Sequence, residues 1–412
     1  MKKILSAVAA LGLVAGVATV ASAADLSVTG KYLVEGVYIN HAGATGGALP
    51  ADLPSDAYWM HTFQMLPNLA VNDKVTLKSD VRLRKEARFG VAAEDAGNGA
   101  AVDFNKIYMD YASPVGKIRV GRTPAGAWGT PFLNSATAAS RIMWWPKMEG
   151  PVSVLLFTQK STEADSQAGN DDQDKDLYHA GLSYKTDGMK VDAGLFYTRN
   201  GAVLNADGDV ATDIVIQVAG SAKISSVSLA GEFAMVTGDK NATAEWDAMG
   251  ALLMASSQFN NLSATAAFVY ATGDDAATAD DEGLMNKFGS LGKDFQPLYI
   301  FTGDTAGILN HDEKSGNTTA ALAGDGVICV ALLADYKLSD SMTVHGGFAY
   351  GLAEETTMAD DDYGMEFDLG LAYKMYDNMT YSAHFGYVLA GDYFGAGAED
   401  IMLVSHSLTM KF

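Results

Sequence analysis

Between residues 78 and 88 the basic side chains Lys78, Arg82, Arg84 and Arg88 stand at even-numbered positions, with Asp80 and Glu86 between them. In an extended strand such alternate residues share one face at intervals of about 6.6 Å. The spacing therefore builds a row of cations broken by two carboxylates, and the chemistry open to it is electrostatic. Two unit charges 4 Å apart interact by about 1 kcal/mol in water and about 4 kcal/mol at an effective dielectric of 20, so a small anion passing two such groups gains about tenfold or more in local concentration. Lys106, Asp110, Lys117, Arg119, Arg122 and Arg141 extend the pattern.

The overall charge hides this row. The chain carries −22, too acidic for a nucleic-acid binder that works by neutralising phosphates. From Lys74 to Lys147, however, twelve Lys and Arg face six Asp and Glu, whereas the rest of the chain beyond residue 23 has 14 against 44. The acidic excess is clustered: Asp171, Asp172, Asp174 and Asp176; Asp274, Asp275, Asp280, Asp281 and Glu282; Glu354, Glu355, Asp360, Asp361 and Asp362.

Other chemistry is thin. Asp172, Asp174 and Asp176 have the spacing that opens a calcium loop but lack its sixth-position Gly and twelfth-position Glu, so they read as a solvated loop with at most loose affinity for Ca²⁺ or Mg²⁺. The seven histidines show no metal-ligand spacing, no Ser-His-acid set can be placed by motif, and no cofactor is expected. Cys329 is the single cysteine, which excludes an internal disulfide. Trp128, Trp144 and Trp145 could guide a sugar if they stood beside a constriction.

The elements that must position these residues are strands. Val75, Leu77, Val81 and Leu83 alternate with Thr76, Lys78, Asp80, Arg82 and Arg84, and the same period of two recurs at Ile107 to Tyr111, Val191 to Tyr197 and Phe367 to Tyr373. Short turns, such as Val71-Asn72-Asp73-Lys74 and Thr186-Asp187-Gly188, are interleaved with long polar stretches at 41–57, 87–101, 161–175, 200–210, 273–324, 353–362 and 390–400. No run of apolar residues after the first 23 exceeds eight, which excludes spanning helices. Short turns at one end and long loops at the other predict a transmembrane antiparallel β-barrel with periplasmic turns and extracellular loops. Naive hairpin counting yields seventeen strands; a strand at Ser140 to Trp145, before the turn Pro146 to Gly150, restores parity at eighteen, and sixteen remains an alternative. Residues 1–23, with Lys2-Lys3, an apolar run and Ala21-Ser22-Ala23, read as a cleaved secretory signal, leaving 24–412 as one barrel domain. Tyr32, Tyr38, Tyr58, Trp59, Tyr111, Tyr184, Tyr373, Tyr381 and Tyr387 read as its interfacial girdle.

The last strand carries Met402, Val404, Leu408, Met410 and a terminal Phe412 on one face, with His406 departing from the pattern. This resembles the C-terminal assembly signal of bacterial outer-membrane barrels. Gly116-Lys117-Ile118-Arg119-Val120-Gly121-Arg122, then Trp128-Gly129, then Arg141 to Trp145, resembles the general-porin stretch around the third extracellular loop. The resemblance implies that 123–139 folds into the lumen as a constriction opposite the basic row, that the chain is a homotrimer in contact with outer-membrane lipid and lipopolysaccharide, and that it passes small ions and solutes. General porins place acidic residues on that loop; 123–139 has no charge at all. The expectation is a non-enzymatic diffusion channel with a mild anion preference that weakens at low ionic strength, as the acidic external loops begin to be felt. A channel specific for a sugar, phosphate or carboxylate is the alternative, and a structural or enzymatic barrel a further one.

Overall fold

The computed structural model describes residues 24–40, 55–90, 102–124, 128–133, 138–164, 173–289, 291–292, 294–303, 309, 324–395 and 397–412. Among these the chain forms β1 (Asp25–Ile39), β2 (Asp56–Ala70), β3 (Val75–Arg88), β4 (Val102–Ser113), β5 (Gly116–Pro124) and β6 (Ala138–Pro146). It continues as β7 (Val152–Thr162), β8 (Lys175–Lys185), β9 (Met189–Leu204), β10 (Val210–Ile224), β11 (Val227–Asn241) and β12 (Ala244–Phe259). The circuit ends with β13 (Leu262–Ala271), β14 (Val327–Ser339), β15 (Met342–Leu352), β16 (Asp362–Tyr376), β17 (Met379–Ala390) and β18 (Ile401–Lys411), and one short helix, α1 (Leu284–Phe288), lies between β13 and β14.

Each strand pairs antiparallel with its neighbours in sequence, and β18 pairs with β1, so a single sheet of eighteen strands closes on itself. Closure removes the unpaired edges that an open sheet would expose. The strand predicted at Ser140 to Trp145 is present as β6, and the sixteen-strand alternative is excluded. The register fixes which residues face out. Ile107, Val120, Ile142, Leu182, Leu195, Val218, Leu253, Val330, Leu369 and Val404 stay exposed on the outer surface, while the intervening positions face the interior. Exposed leucines and valines in continuous rows are what lipid contact requires and water would penalise.

The ends differ in construction. Ser225 and Asn260 adopt positive φ (57° and 53°) in the two-residue turns that join β10 to β11 and β12 to β13, the backbone twist that such hairpins demand. At the opposite end two expectations change. The stretch 200–210 is mostly strand: β9 runs on to Leu204, which pairs with Val210, leaving only 205–209 as loop. Residues 242–243 also form a tight connection at this end, so the alternation of short and long is not complete. Of the girdle residues, Tyr58 is the exception: it is opposite Val37 on the interior register and buried, with Arg88 over its ring at 3.8 Å.

The seam between first and last strands is locked by the terminal residue. Phe412 exchanges backbone hydrogen bonds with Gly30 (2.8 and 3.1 Å) and stacks on Phe63 at 5.7 Å. Met402, Val404, His406, Leu408 and Met410 lie on the same outer face, where His406 meets the Trp59 ring edge-on at 4.7 Å. A Cβ on Gly30 would stand 2.3 Å from the Gln64 carbonyl oxygen and 2.5 Å from Phe412 Cζ. Gly30→Ala is therefore expected to destabilise the barrel by about 1–3 kcal/mol, the usual range for overpacking. The temperature at which folded protein converts to its slow-migrating form on a denaturing gel should fall; Gly188→Ala, whose Cβ would meet nothing within 4 Å, should leave it unchanged.

Candidate functional site

Three adjacent strands assemble the basic wall. On β3 the interior register holds Lys78, Asp80 and Arg82; β4 adds Lys106 opposite Asp80 and Asp110 opposite Thr76; β5 adds Arg119 opposite Asp110, and Lys117 two residues closer to the turn. Asp110 is the hub. Arg119 binds both its oxygens (2.6 and 2.9 Å), and the ammonium groups of Lys78 and Lys117 stand 3.4 and 3.6 Å away. Three cations thus share one carboxylate, and Lys78 and Lys117 keep 39% and 44% of their side chains exposed. Asp80, by contrast, is buried and engaged by Gln64 (2.6 Å), Asn105 (2.8 Å) and Arg82 (3.4 Å). The surplus positive charge of the wall is what faces the open interior.

Several residues expected beside it lie elsewhere. Arg122 pairs with Ile107 and belongs to the outer face, because strand parity separates it from Arg119 by three residues. Arg141 faces inward but is buried, its guanidinium over the Phe157 ring at 4.2 Å and its Nε donating to Gln159 at 2.7 Å, so it is covered and does not line open space. Glu86 sits on an irregularity opposite Thr62 with φ of 50°, a left-handed conformation unusual for Glu, and its carboxylate meets Lys85 at 3.4 Å; it is off the regular ladder. Arg88 returns to the interior register beside Asp56 at 3.0 Å. The Arg84 side chain lies outside what is described. Trp144 faces outward; Trp145 faces inward under the ammonium of Lys117 (4.8 Å) and the guanidinium of Arg119 (5.5 Å). Asp174 and Asp176 are both paired with Lys160, Asp176 at 3.0 Å, and no metal-binding group of three occurs among the described residues; Asp172 lies outside them.

The loop between β5 and β6 enters the barrel through its described residues 128–133, and it crosses to the far wall. Trp128 is 8% exposed and packs edge-on to His179 at 5.3 Å, over Gly181 and Gly194, where a Cβ would collide with the indole. Two glycines opposite each other on β8 and β9 thus make the seat. Trp128 is a docking residue, and the expectation that it lines the constriction is corrected. Beyond it the Thr130 amide donates to Glu232 at 2.5 Å, and Phe132 is fully buried.

A second inward segment, unforeseen from the sequence, meets the first. The described residues of 281–303, expected outside, fold into the barrel: the Gly292 amide donates to the Phe132 carbonyl at 2.6 Å, and Phe295 packs on Phe132 at 5.8 Å. Its near limb is pinned by Asp281 to Lys240 (2.5 Å) and by Lys287 of α1 to Asp213 (2.5 Å), the latter ammonium also 4.9 Å from the Trp246 ring. Burial pushes the Lys287 ammonium below its ordinary value, and Asp213 opposes that shift. Its far limb is held by β16: Glu366 accepts the Ile300 and Phe301 amides (2.6 Å each) and Asp368 the Tyr299 amide (3.2 Å).

These anchors change the charge map. Asp192, Asp213, Glu232, Asp281, Glu366 and Asp368 are interior carboxylates, not part of an external rim, and all are buried. All six are engaged in wall or loop contacts, Asp192 by Ser183 and Lys190 at 2.5 Å each. The inward segment also brings Asp294 within electrostatic reach of Lys106, so the carboxylate facing the basic wall comes from this segment and not from the uncharged 123–139.

A closed eighteen-stranded barrel with a lipid-compatible exterior and loops folded into a charged interior is the fold of the outer-membrane porins. Among solved structures it is similar to OccK9 (OpdG) of Pseudomonas aeruginosa (13% identity over 94% of this chain and 99% of that one, TM-score 0.58) and to OccK2 (OpdF) of the same organism in complex with glucuronate (9%, 94% and 98%, TM-score 0.58). It is also similar to an anion-selective porin from Comamonas acidovorans (10%, 94% and 100%, TM-score 0.51). No protein-family model and no curated protein matches the sequence.

Proposed function

We propose that this chain is a passive channel of the bacterial outer membrane for small hydrophilic solutes, that it prefers anions mildly, and that it performs no enzymatic chemistry. The observation that carries the reading is the division of interior charge. The carboxylates of the far wall are buried in contacts with the wall or with the inward loops, whereas Lys78 and Lys117 on the near wall remain exposed around an Asp110 already neutralised by Arg119. An anion moving along β3 to β5 meets surplus positive charge in a partly desolvated space, where each unit interaction counts for more than in bulk water. The anion-selective porin of the same fold supports this direction. Export by cleavage after residue 23, homotrimeric assembly and contact with lipopolysaccharide belong to the same reading.

Purified protein reconstituted in a planar bilayer should give stepwise conductance; a folded protein that gives none would refute the channel. A second reading, a channel with a binding site for an organic carboxylate, is favoured by Trp145 lying beneath two cations and by solved relatives named with glucuronate and vanillate, both carboxylates. Saturable block of chloride current by glucuronate, lost in Lys117→Ala, is the result expected of that reading; a current that falls only in proportion to viscosity would leave simple diffusion.

A further inference from the structure

We infer that the segment 298–303 is a releasable strap and that the Glu366–Asp368 pair is its latch. Three consecutive amides, those of Tyr299, Ile300 and Phe301, are received by two carboxylates at alternate positions of one strand. Glu366 is fully buried, and in the strap it meets the backbone amides of Ile300 and Phe301. The remaining contacts are apolar burial seated on glycines: Leu298, Ile300 and Phe301 are buried in the core, Ile300 over Gly386 and Phe301 over Gly351 at 3.1 and 3.2 Å from where a Cβ would stand, while the Tyr299 hydroxyl stands 2.3 Å from the Cβ position of Gly370 and its ring stacks on His384 at 4.5 Å. The polar side of this seat rests on one carboxylate bracket: without it three backbone amides of a buried segment lose their acceptors, a cost that opposes the apolar packing. Loss of the bracket frees the space along β14 to β17.

The chain contains its own reporter of this movement. Cys329, the single cysteine, is on the interior register opposite Gly351 and is buried, next to the backbone that Phe301 covers. With the strap latched, Cys329 should resist a small charged methanethiosulfonate reagent supplied to folded protein in detergent. Glu366→Gln keeps the shape but turns one acceptor into a donor aimed at an amide, and should raise the labelling rate of Cys329 by about tenfold or more, as loss of a charge-assisted hydrogen bond implies. Asp368→Asn, which loses only the longer bond, should give an intermediate rate. The labelled variants must run as folded protein on an unheated gel; if Glu366→Gln does not fold, Asp368→Asn decides. Folded variants whose Cys329 labels as slowly as in the parent protein would overturn the latch, as would a parent protein whose Cys329 labels at the rate of a free thiol. Because labelling needs no current, this outcome is independent of whether the barrel conducts.

Discussion

Arg119→Glu is expected to abolish or invert the ion preference of the channel. In the parent protein Lys78, Lys117 and Arg119 surround Asp110, a group with two positive charges in excess; the substitution brings that balance to zero and places a second carboxylate against the first. At a separation near 4 Å each changed unit interaction with a passing ion amounts to about 1 kcal/mol in water and up to about 4 kcal/mol at the effective dielectric of a protein surface, so the chloride-to-potassium permeability ratio should fall by about tenfold or more. Arg122→Glu is the informative control. It makes the same charge change three residues away, on the outer face, and should leave the ratio where it was. If both substitutions shift selectivity alike, the distinction between the two faces of β5 has no functional meaning.

Trp128→Ala should have the largest effect on the size of the opening. The indole is buried on Gly181 and Gly194 and is the main apolar contact of the loop's first limb. Truncating a buried Trp costs about 3–5 kcal/mol in well-packed sites, enough to favour the undocked loop. Conductance should rise and become noisier, while the folded barrel, whose ladder of eighteen strands is untouched, persists. Unchanged conductance together with lost block by a sugar would mean that Trp128 is a ligand platform and not a dock.

The barrel was legible in the sequence because period-two alternation and turn chemistry are local signals. Strand count followed from parity, and β6 at Ala138–Pro146 is where parity required it. The basic wall was also legible, since Lys78, Arg82, Lys106, Lys117 and Arg119 lie on regular strands whose faces are set by counting. Arg122 was separable on the same count, being three residues from Arg119 and hence of opposite parity. What could not be read was the inward course of the described residues of 281–303. Nothing local distinguishes a loop that leaves the barrel from one that enters it, and the acidic residues at 280–282 suggest solvent. The available signal was on the other side of the contact: Gly347, Gly351, Gly370 and Gly386 line one wall beside Glu366 and Asp368, a surface without side chains next to two interior carboxylates, which is a seat for backbone. Gly181 and Gly194 mark the seat of Trp128 in the same way.

The inward segment adds a second cause for the mildness of the preference. Asp281 and Asp294 stand inside the barrel, so an opposing negative field is present at every ionic strength and is not confined to a distant mouth screened over about 8 Å. The preference for anions should therefore be mild already at moderate salt, and in dilute solution the less-screened external acidic loops should reduce it further.

The most direct test is the zero-current potential of the parent channel across a bilayer separating two concentrations of potassium chloride at moderate salt. An open lane along β3 to β5 requires the sign set by the more permeant chloride, whereas a potential with the sign of a potassium-preferring pore would contradict it.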